Sequence, residues 1–190
     1  MAHQHTCLCC FCAESETSGV EPWRKVGEEI VYDRYRRIVS RSFTLPDGST
    51  AEFEVVEFLD SAAVFALTPD QEVVLVREFR PGPEEVLLEL PGGVVELDEA
   101  PSEAARAELL EETGYEGEII EVGTLLTNAY GTNTKYVFAA TECRLIAEPE
   151  APELTEPLLM PLAAFRSHLR SGRLTEVDAA YLALDHLGLL

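Results

Sequence analysis

The stretch GGVVELDEAPSEAARAELLEETGY, from Gly92 to Tyr115, constrains the fold more than any other part of the chain. A glycine pair and an acidic loop lead there into a run of alanines and leucines, which are good helix formers. Pro101 suits the first helical position, because its missing N–H would have no partner there, and Gly114 suits the left-handed residue beyond a helix end. The sequence therefore predicts a loop feeding a short helix that ends at Thr113 and Gly114.

Three glutamates of this predicted helix share one face. Glu108, Glu111 and Glu112 stand at i, i+3 and i+4, and their like charges repel one another near the helix C-terminus, where the macrodipole favours cations. A divalent ion bound between them would remove the repulsion, and hard carboxylate oxygens suit Mg²⁺ or Mn²⁺. The alternative is a solvated acidic face in an acidic protein.

The overall charge limits the partners that the chain can bind directly. A length of 190 residues fits one domain with appendages, and the net charge of −21 argues against nucleic acid or an anionic membrane as a partner. A polyanionic substrate would need a metal ion and local arginines to enter such a field. Because the sequence shows neither an apolar run of about 20 residues nor a secretory signal, we expect a cytoplasmic protein.

The first 22 residues are predicted to form a flexible tail rich in cysteine and histidine. Two interleaved CxxC pairs there offer soft ligands for Zn²⁺ or Cu(I). Structural zinc sites, however, usually combine two ligand pairs separated by a spacer, which this tail lacks. A tail with exposed thiols is the alternative interpretation, and the sequence leaves both open. The tail cysteines are Cys7, Cys9, Cys10 and Cys12.

Most of the remaining chain has the composition of β-strands. Residues 29–45 are rich in β-branched and aromatic residues and predict one strand, which the Pro46–Ser49 turn joins to a partner at residues 51–58. We expect this hairpin to precede the core of the protein. Six further strands are predicted at residues 62–67, 72–79, 86–93, 116–126, 135–142 and 158–160, and two further helices at residues 162–170 and 175–186.

Two arginines and a tyrosine are candidate substrate contacts. Arg77 and Arg80 close a predicted strand just before the acidic loop, in a chain with only 14 basic residues, and guanidinium groups suit phosphate. Surface ion pairs are an equally plausible role for both. Tyr130 lies in the polar link of residues 127–134, which has the composition of a substrate loop or of an ordinary connection.

The spacing of the acidic stretch resembles the Nudix box. Gly93, five residues, Glu99, seven residues and then the segment AELLEETGY, which begins at Ala107, reproduce that signature almost throughout. The exception is Ala107, which stands where the family has an arginine that orients the glutamates by ion pairing. Arg106 is adjacent, but one residue along a helix is a rotation of about 100°, so it does not take that place automatically.

Other segments are similar to the ADP-ribose pyrophosphatase branch of the Nudix hydrolases. The similarity runs from about Trp23 to Leu190 and rests on the predicted hairpin and on the segments VREFRPG, LELPGG, ELTEPLLMPLAAF and SGRLTEVDAAYLAL. It implies an α/β fold, the Nudix α/β/α sandwich with a mixed sheet, preceded by an N-terminal β-hairpin. Residues 23–60 would form the hairpin region used for dimerisation and residues 61–190 the Nudix hydrolase domain, in a homodimer.

The resemblance also implies an activity. A divalent metal ion, Mg²⁺ or Mn²⁺, would support hydrolysis of the pyrophosphate bond in a nucleoside diphosphate linked to another group. ADP-ribose, cleaved to AMP and ribose 5-phosphate, is the expected substrate. Nucleotide sugars and oxidised nucleotides are the alternatives, and so is a catalytically weak protein that binds ADP-ribose as a sensor.

The resemblance also implies which residues form the site, because each family role can be transferred to the matching position of this sequence. The metal ligands would be Glu108, Glu111, Glu112 and the carbonyl of Gly92, with Glu111 also counted among the catalytic carboxylates. The general base would come from the loop before the last strand. The candidates there are Glu153 first and Glu156 second, and the expected substrate contacts are Arg80, Arg77 and Tyr130.

Overall fold

A computed structural model of the chain describes residues 20–150 and 155–190. The predictions for the cysteine tail and for Glu153 lie outside these residues. The chain divides into two compact units, one that ends at Val55 and one that runs from Val56 to Leu190. No helix in the described residues is both long enough and apolar enough to cross a membrane.

An antiparallel sheet forms most of the first unit. Its strands are β1 (Arg24–Asp33), β2 (Arg37–Thr44) and β3 (Thr50–Glu57), in the order β1-β2-β3. The prediction of one strand over residues 29–45 is therefore wrong, because the chain reverses at residues 34–36. An ion pair of 3.2 Å between Asp33 and Arg37 closes that reversal, which an alternation of strand-forming residues does not reveal.

Seven strands form the mixed sheet of the second unit. In spatial order the main path is β10-β5-β4-β9-β8, with β6 paired to β5 and β7 paired to β4. The β4–β9 pair is parallel, whereas β5 pairs with β4, β6 and β10 in antiparallel fashion. The strands are β4 (Ser61–Leu67), β5 (Glu72–Arg80), β6 (Glu85–Glu89), β7 (Gly92–Val94), β8 (Tyr115–Leu126), β9 (Thr134–Leu145) and β10 (Thr155–Pro161).

Helices cover both faces of this sheet. The helices are α1 (Pro101–Thr113), α2 (Leu162–Arg170) and α3 (Val177–His186). Side chains of β4 alternate between the faces: Phe65 joins the core of α2 and α3, 5.6 Å from the Phe165 ring, while Val64 packs with Leu109 of α1. The predicted α/β/α sandwich with a mixed sheet is confirmed.

Helix α1 begins and ends where the sequence predicts. Pro101 opens it, and Gly114 follows it in the left-handed conformation with a φ of 75°. The N–H of Gly114 donates to the carbonyl of Leu110 at 2.7 Å, which completes the helix end. The hydroxyl of the buried Thr113 donates to the carbonyl of Leu109 and accepts from the N–H of Tyr115. Hydrogen bonds among residues 109–115 thus fix the direction of the chain between α1 and β8.

Candidate active site

The glycine pair of β7 brings α1 against the sheet. Gly92 pairs with Ala63 of β4, and its N–H donates to Glu112 Oε2 at 2.9 Å. A Cβ on Gly93 would lie 1.9 Å from Glu108 Oε1, so this carboxylate occupies the space that any larger residue would need. The Nudix-box spacing therefore places two helical glutamates directly beside two consecutive glycines.

Negative charge is concentrated at this junction. Burial raises the pKa of the Glu112 carboxyl to about 7, with Glu108 and Glu78 adding to the rise and the Gly92 N–H and Arg80 opposing it. Burial also raises the pKa of Glu108, and the nearby Glu111 and Glu99 raise it further. The last turn of α1 has no basic residue. The folded protein therefore holds these carboxylates at an electrostatic cost.

The donors at this junction fit a hard divalent cation by their chemistry. A cation placed between Glu108 and Glu112 would offset both the burial and the mutual repulsion that raise their pKa values. Across residues 20–150 and 155–190, no three His, Cys, Asp or Glu side chains already surround a common point closely enough to hold a metal ion. Glu111 is exposed, so binding would require its side chain to turn toward Glu108 and Glu112.

Arg80 is held in place by a buried carboxylate. Its Nε donates to Glu89 Oε1 at 2.6 Å, and a second donor, Nη2, reaches the other Glu89 oxygen. Glu89 is only 3% exposed, whereas 40% of the Arg80 side chain is exposed. Arg80 also contacts Glu78 at 3.1 Å. Glu89 was not among the predicted site residues, because one glutamate in an apolar strand gives no signal of the distant side chain that it binds.

A cleft of about 230 Å³ lies next to the two glycines. Its walls include Ser61 to Ala63 of β4, Leu90, and Gly92 to Val94 of β7. Its charged lining residues are two cations and two carboxylates. These are Arg80, Lys135, Glu89 and Glu176, of which the sequence analysis singled out only Arg80.

The other predicted substrate and base residues in the described part of the chain do not line this cleft. Arg77 Nη1 bonds to Glu156 Oε2 at 2.7 Å, across the pair of β5 and β10, and both side chains are about half exposed or more. Tyr130 is an exposed loop residue whose carbonyl accepts from the N–H of Val56. Arg80 is thus the predicted arginine that the structure places in the cleft.

The alanine at the box-arginine position borders a cavity of about 260 Å³. Leu110 and Ile119 line this cavity together with Ala107 and Arg106. Arg106 itself is exposed, and in the part of the chain that the structure describes it forms no ion pair with the glutamates of α1. The loss of the box arginine is therefore not compensated by its neighbour.

Alanine at each of the two glycines should produce different defects. At Gly92, a Cβ would lie 2.2 Å from the carbonyl oxygen of Ala62, so we expect Gly92→Ala to lower the melting temperature by many degrees. At Gly93 the obstacle is the movable end of Glu108. We expect Gly93→Ala to keep most of the stability and to lower activity about tenfold or more, because it displaces that carboxylate.

Calorimetry measures the melting temperatures of the Gly92→Ala and Gly93→Ala variants, and steady-state kinetics measure their activities. Gly82→Ala is the matched control, since a Cβ there meets no atom within 4 Å. Equal melting temperatures for the Gly92 and Gly93 variants would contradict the packing described for β7.

Comparison with known proteins assigns the family. The model of the NUDIX domain family matches residues 57–176. A CMP-5'-(N-acetyl-N-hydroxy-3-aminopropyl)phosphonate hydrolase of Streptomyces rubellomurinus is 31% identical over 173 residues, which cover 88% of this chain and 83% of that protein. An ADP-ribose pyrophosphatase of Bacillus subtilis is 28% identical over 150 residues, 76% of this chain and 80% of that one.

Two further comparisons bear on length and fold. The methanol dehydrogenase activator of Bacillus methanolicus is 36% identical over 94 residues, and the match spans only about half of each chain, 50% and 51%. A solved structure of an ADP compounds hydrolase superposes with a TM-score of 0.75 at 20% identity, over 92% of this chain and all of that one. At that identity the superposition supports the fold alone.

This chain therefore belongs to the NUDIX family. Within it, the similarity to ADP-ribose pyrophosphatases identifies a Nudix pyrophosphohydrolase. The predicted family and the predicted enzyme class are confirmed.

Proposed function

We propose that the chain hydrolyses ADP-ribose to AMP and ribose 5-phosphate with a divalent metal ion, Mg²⁺ or Mn²⁺. One observation carries the proposal: Glu108 and Glu112 lie against Gly93 and Gly92, beside a cleft that contains Arg80. The named activity of the Bacillus subtilis relative, which is similar over 76% of this chain, supports ADP-ribose in particular.

In this proposal the glutamates of α1 bind the metal ion and Arg80 binds the pyrophosphate. Glu108, Glu111 and Glu112 would hold the metal, with the Gly92 carbonyl as a further ligand. When bound, the ion would neutralise phosphate oxygens and make a water more acidic. Arg80, fixed by Glu89, presents a guanidinium to the pyrophosphate from one wall of the cleft. Its fixed position limits the loss of side-chain entropy on binding.

A carboxylate outside α1 would take the proton of the attacking water. Glu153 is the first choice in this proposal, because Glu156 already bonds to Arg77 across the two neighbouring strands. Proton transfer by Glu156 would require that ion pair to open. Water then adds to one phosphorus, and the phosphate of the other product leaves with the bridging oxygen.

The proposal includes a cytoplasmic homodimer that binds neither nucleic acid nor membrane. The charge of −21 supports the exclusion of polyanionic surfaces. In the first unit, Trp23 just before β1 is exposed, and so are Val26, Ile30 and Val31 of β1. A strand with this much exposed apolar surface gains stability from pairing with a second copy.

Incubation with ADP-ribose tests the proposed function directly. The purified chain should release AMP and ribose 5-phosphate in equal amounts with Mg²⁺ or Mn²⁺, and chelation by EDTA should stop the reaction. The panel should include a nucleotide sugar, which is the alternative substrate class, and a CMP-phosphonate, the class named for the Streptomyces rubellomurinus relative. Binding of ADP-ribose without any AMP release would instead assign the chain as a sensor.

Restoring the box arginine should raise turnover. Position 107 lies one helical turn before Glu111, and the cavity beside Ala107 has room for a longer side chain. We expect Ala107→Arg to increase kcat several-fold, because the new guanidinium would orient Glu111 and reduce the repulsion on that face. Steady-state kinetics measure the effect.

Ala107→Met is the control, since it fills the same cavity without adding charge. If Ala107→Arg is no faster than Ala107→Met, the site has adapted to alanine and the proposed role of the arginine does not apply here.

A further inference from the structure

Lys135 is a cation of the cleft that the proposed mechanism does not use. It is one of only two lysines in the sequence, and it lies near the start of β9, where its Cα pairs with Ser61 of β4. Its side chain is 16% exposed and lines the cleft together with Gly92 and Gly93. A nearly buried ammonium in a protein of charge −21 requires a reason, because burial of a charge is costly.

The charged neighbours of Lys135 stand too far away to satisfy it. Its Nζ lies 4.0 Å from Glu176 Oε1 and 3.9 Å from Asp178 Oδ1, and both distances exceed a hydrogen bond. Within the described residues, no closer acidic group faces this nitrogen. An ammonium has three donors, so Lys135 retains hydrogen-bonding capacity inside the cleft.

Arg80 shows the opposite arrangement in the same cleft. Its guanidinium is already bonded to Glu89 through two donors, and a further contact joins it to Glu78. The two cations therefore differ in what they can offer a ligand. Arg80 offers a fixed guanidinium with part of its donors in use, whereas Lys135 offers an ammonium that its two neighbours attract without a short bond.

We infer that Lys135 Nζ binds an anionic phosphate oxygen of the substrate, as a second cationic anchor for the pyrophosphate besides Arg80. This inference rests on the proposed function and adds a residue to its substrate site. Lysine binds phosphate as a point charge, which tolerates the different orientations of a diphosphate better than a fixed fork does. Attraction by Glu176 and Asp178 holds the ammonium at the wall of the cleft.

A purely structural role for Lys135 makes a different prediction. In that case the ammonium would only neutralise Glu176 and Asp178 at the start of α3, and its removal would affect α3 rather than phosphate binding. The two roles separate when Lys135 is replaced both in the wild-type protein and in a Glu176→Gln background. Asp178 is 47% exposed, so water screens its charge and the neutralising role concerns Glu176. That role disappears once Glu176 carries no charge, whereas a direct contact with phosphate remains.

The test is calorimetric binding of inorganic pyrophosphate with Mg²⁺ to the full chain. Lys135→Met should weaken the affinity about tenfold, the loss typical of one charged hydrogen bond. Lys135→Arg should retain affinity to within about threefold. The tenfold loss should persist in the Glu176→Gln background. Lys25→Met is the matched control, because Lys25 pairs with Glu28 in the N-terminal sheet.

Kinetics with ADP-ribose give the second readout. Lys135→Met should raise KM about tenfold and change kcat much less, because it removes binding rather than chemistry. Unchanged pyrophosphate affinity in Lys135→Met, or a loss that vanishes with Glu176→Gln, would overturn the inference. So would a wild-type protein that binds no pyrophosphate.

The pyrophosphate-binding test of Lys135 can succeed or fail independently of the test of ADP-ribose hydrolysis. A wild-type protein that binds pyrophosphate through Lys135 but leaves ADP-ribose intact refutes the proposed activity and upholds the contact. If Lys135→Met does not fold, Lys135→Gln is measured by the same criteria.

Discussion

Replacing Glu112 with glutamine is expected to lower the turnover of ADP-ribose by about 100-fold or more. Glu112 is the helical glutamate that the structure ties to the sheet, through its 2.9 Å bond from the Gly92 N–H. Glutamine keeps the size and can accept the same hydrogen bond, but it removes the charge that a divalent ion needs. Steady-state kinetics with Mg²⁺ measure the loss, at ion concentrations high enough to reveal any weakened metal binding.

Glu103→Gln is the matched control for this prediction. Glu103 is an exposed glutamate in the first turn of the same helix, so its replacement changes the net charge equally. We expect its turnover to stay within about twofold of the wild type. Full activity of Glu112→Gln, or an equal loss in both variants, would exclude Glu112 as a metal ligand.

The same variant should change the pH dependence of stability in the metal-free protein. The pKa of Glu112 is about 7 in the folded chain against an ordinary value of 4.5, so between these values the folded state binds more protons than the unfolded state. The free energy of unfolding of the wild type therefore falls as the pH rises through this window. Glu112→Gln lacks this term, so its melting temperature should exceed that of the wild type increasingly from about pH 5 to about pH 8.

Local signals in the sequence were sufficient for α1 and for the Nudix family. Pro101 and Gly114 fix the two ends of α1 through backbone geometry that depends on few neighbours. The spacing of Glu108, Glu111 and Glu112 fixes their common face in the same local way. The apolar runs of β4 and β5 were recognisable because both faces of these central strands are buried.

Pairings between distant segments were not predictable in this way. The turn between β1 and β2 interrupts a continuous strand-like pattern, and the Arg80–Glu89 pair depends on the register of β5 with β6. Lys135 reaches the cleft only because β9 runs parallel to β4. Each of these features depends on which strand lies beside which, and a composition pattern along one segment does not contain that information.

Removing the Arg80 guanidinium should cost stability as well as activity. Arg80→Met leaves Glu89 nearly fully buried without its partner, a situation that costs 3–5 kcal/mol when both groups are buried. Because 40% of the Arg80 side chain is exposed, solvent screening reduces the effect, and we expect a loss of roughly 2 kcal/mol in the free energy of unfolding. Urea unfolding at pH 7.5 measures it.

Arg173→Met provides the matched control, because Arg173 pairs with Glu85 where both side chains are about half exposed. Such a surface pair contributes about 0–1 kcal/mol, so this variant should unfold close to the wild type. The double variant Arg80→Met/Glu89→Met should recover most of the lost stability, since an apolar pair of similar volume leaves no buried charge. It should not recover activity, because the cleft would still lack the guanidinium that is proposed to bind the pyrophosphate. Recovery of both properties would mean that Arg80 serves only to neutralise Glu89, and the phosphate contact would then depend on Lys135 alone.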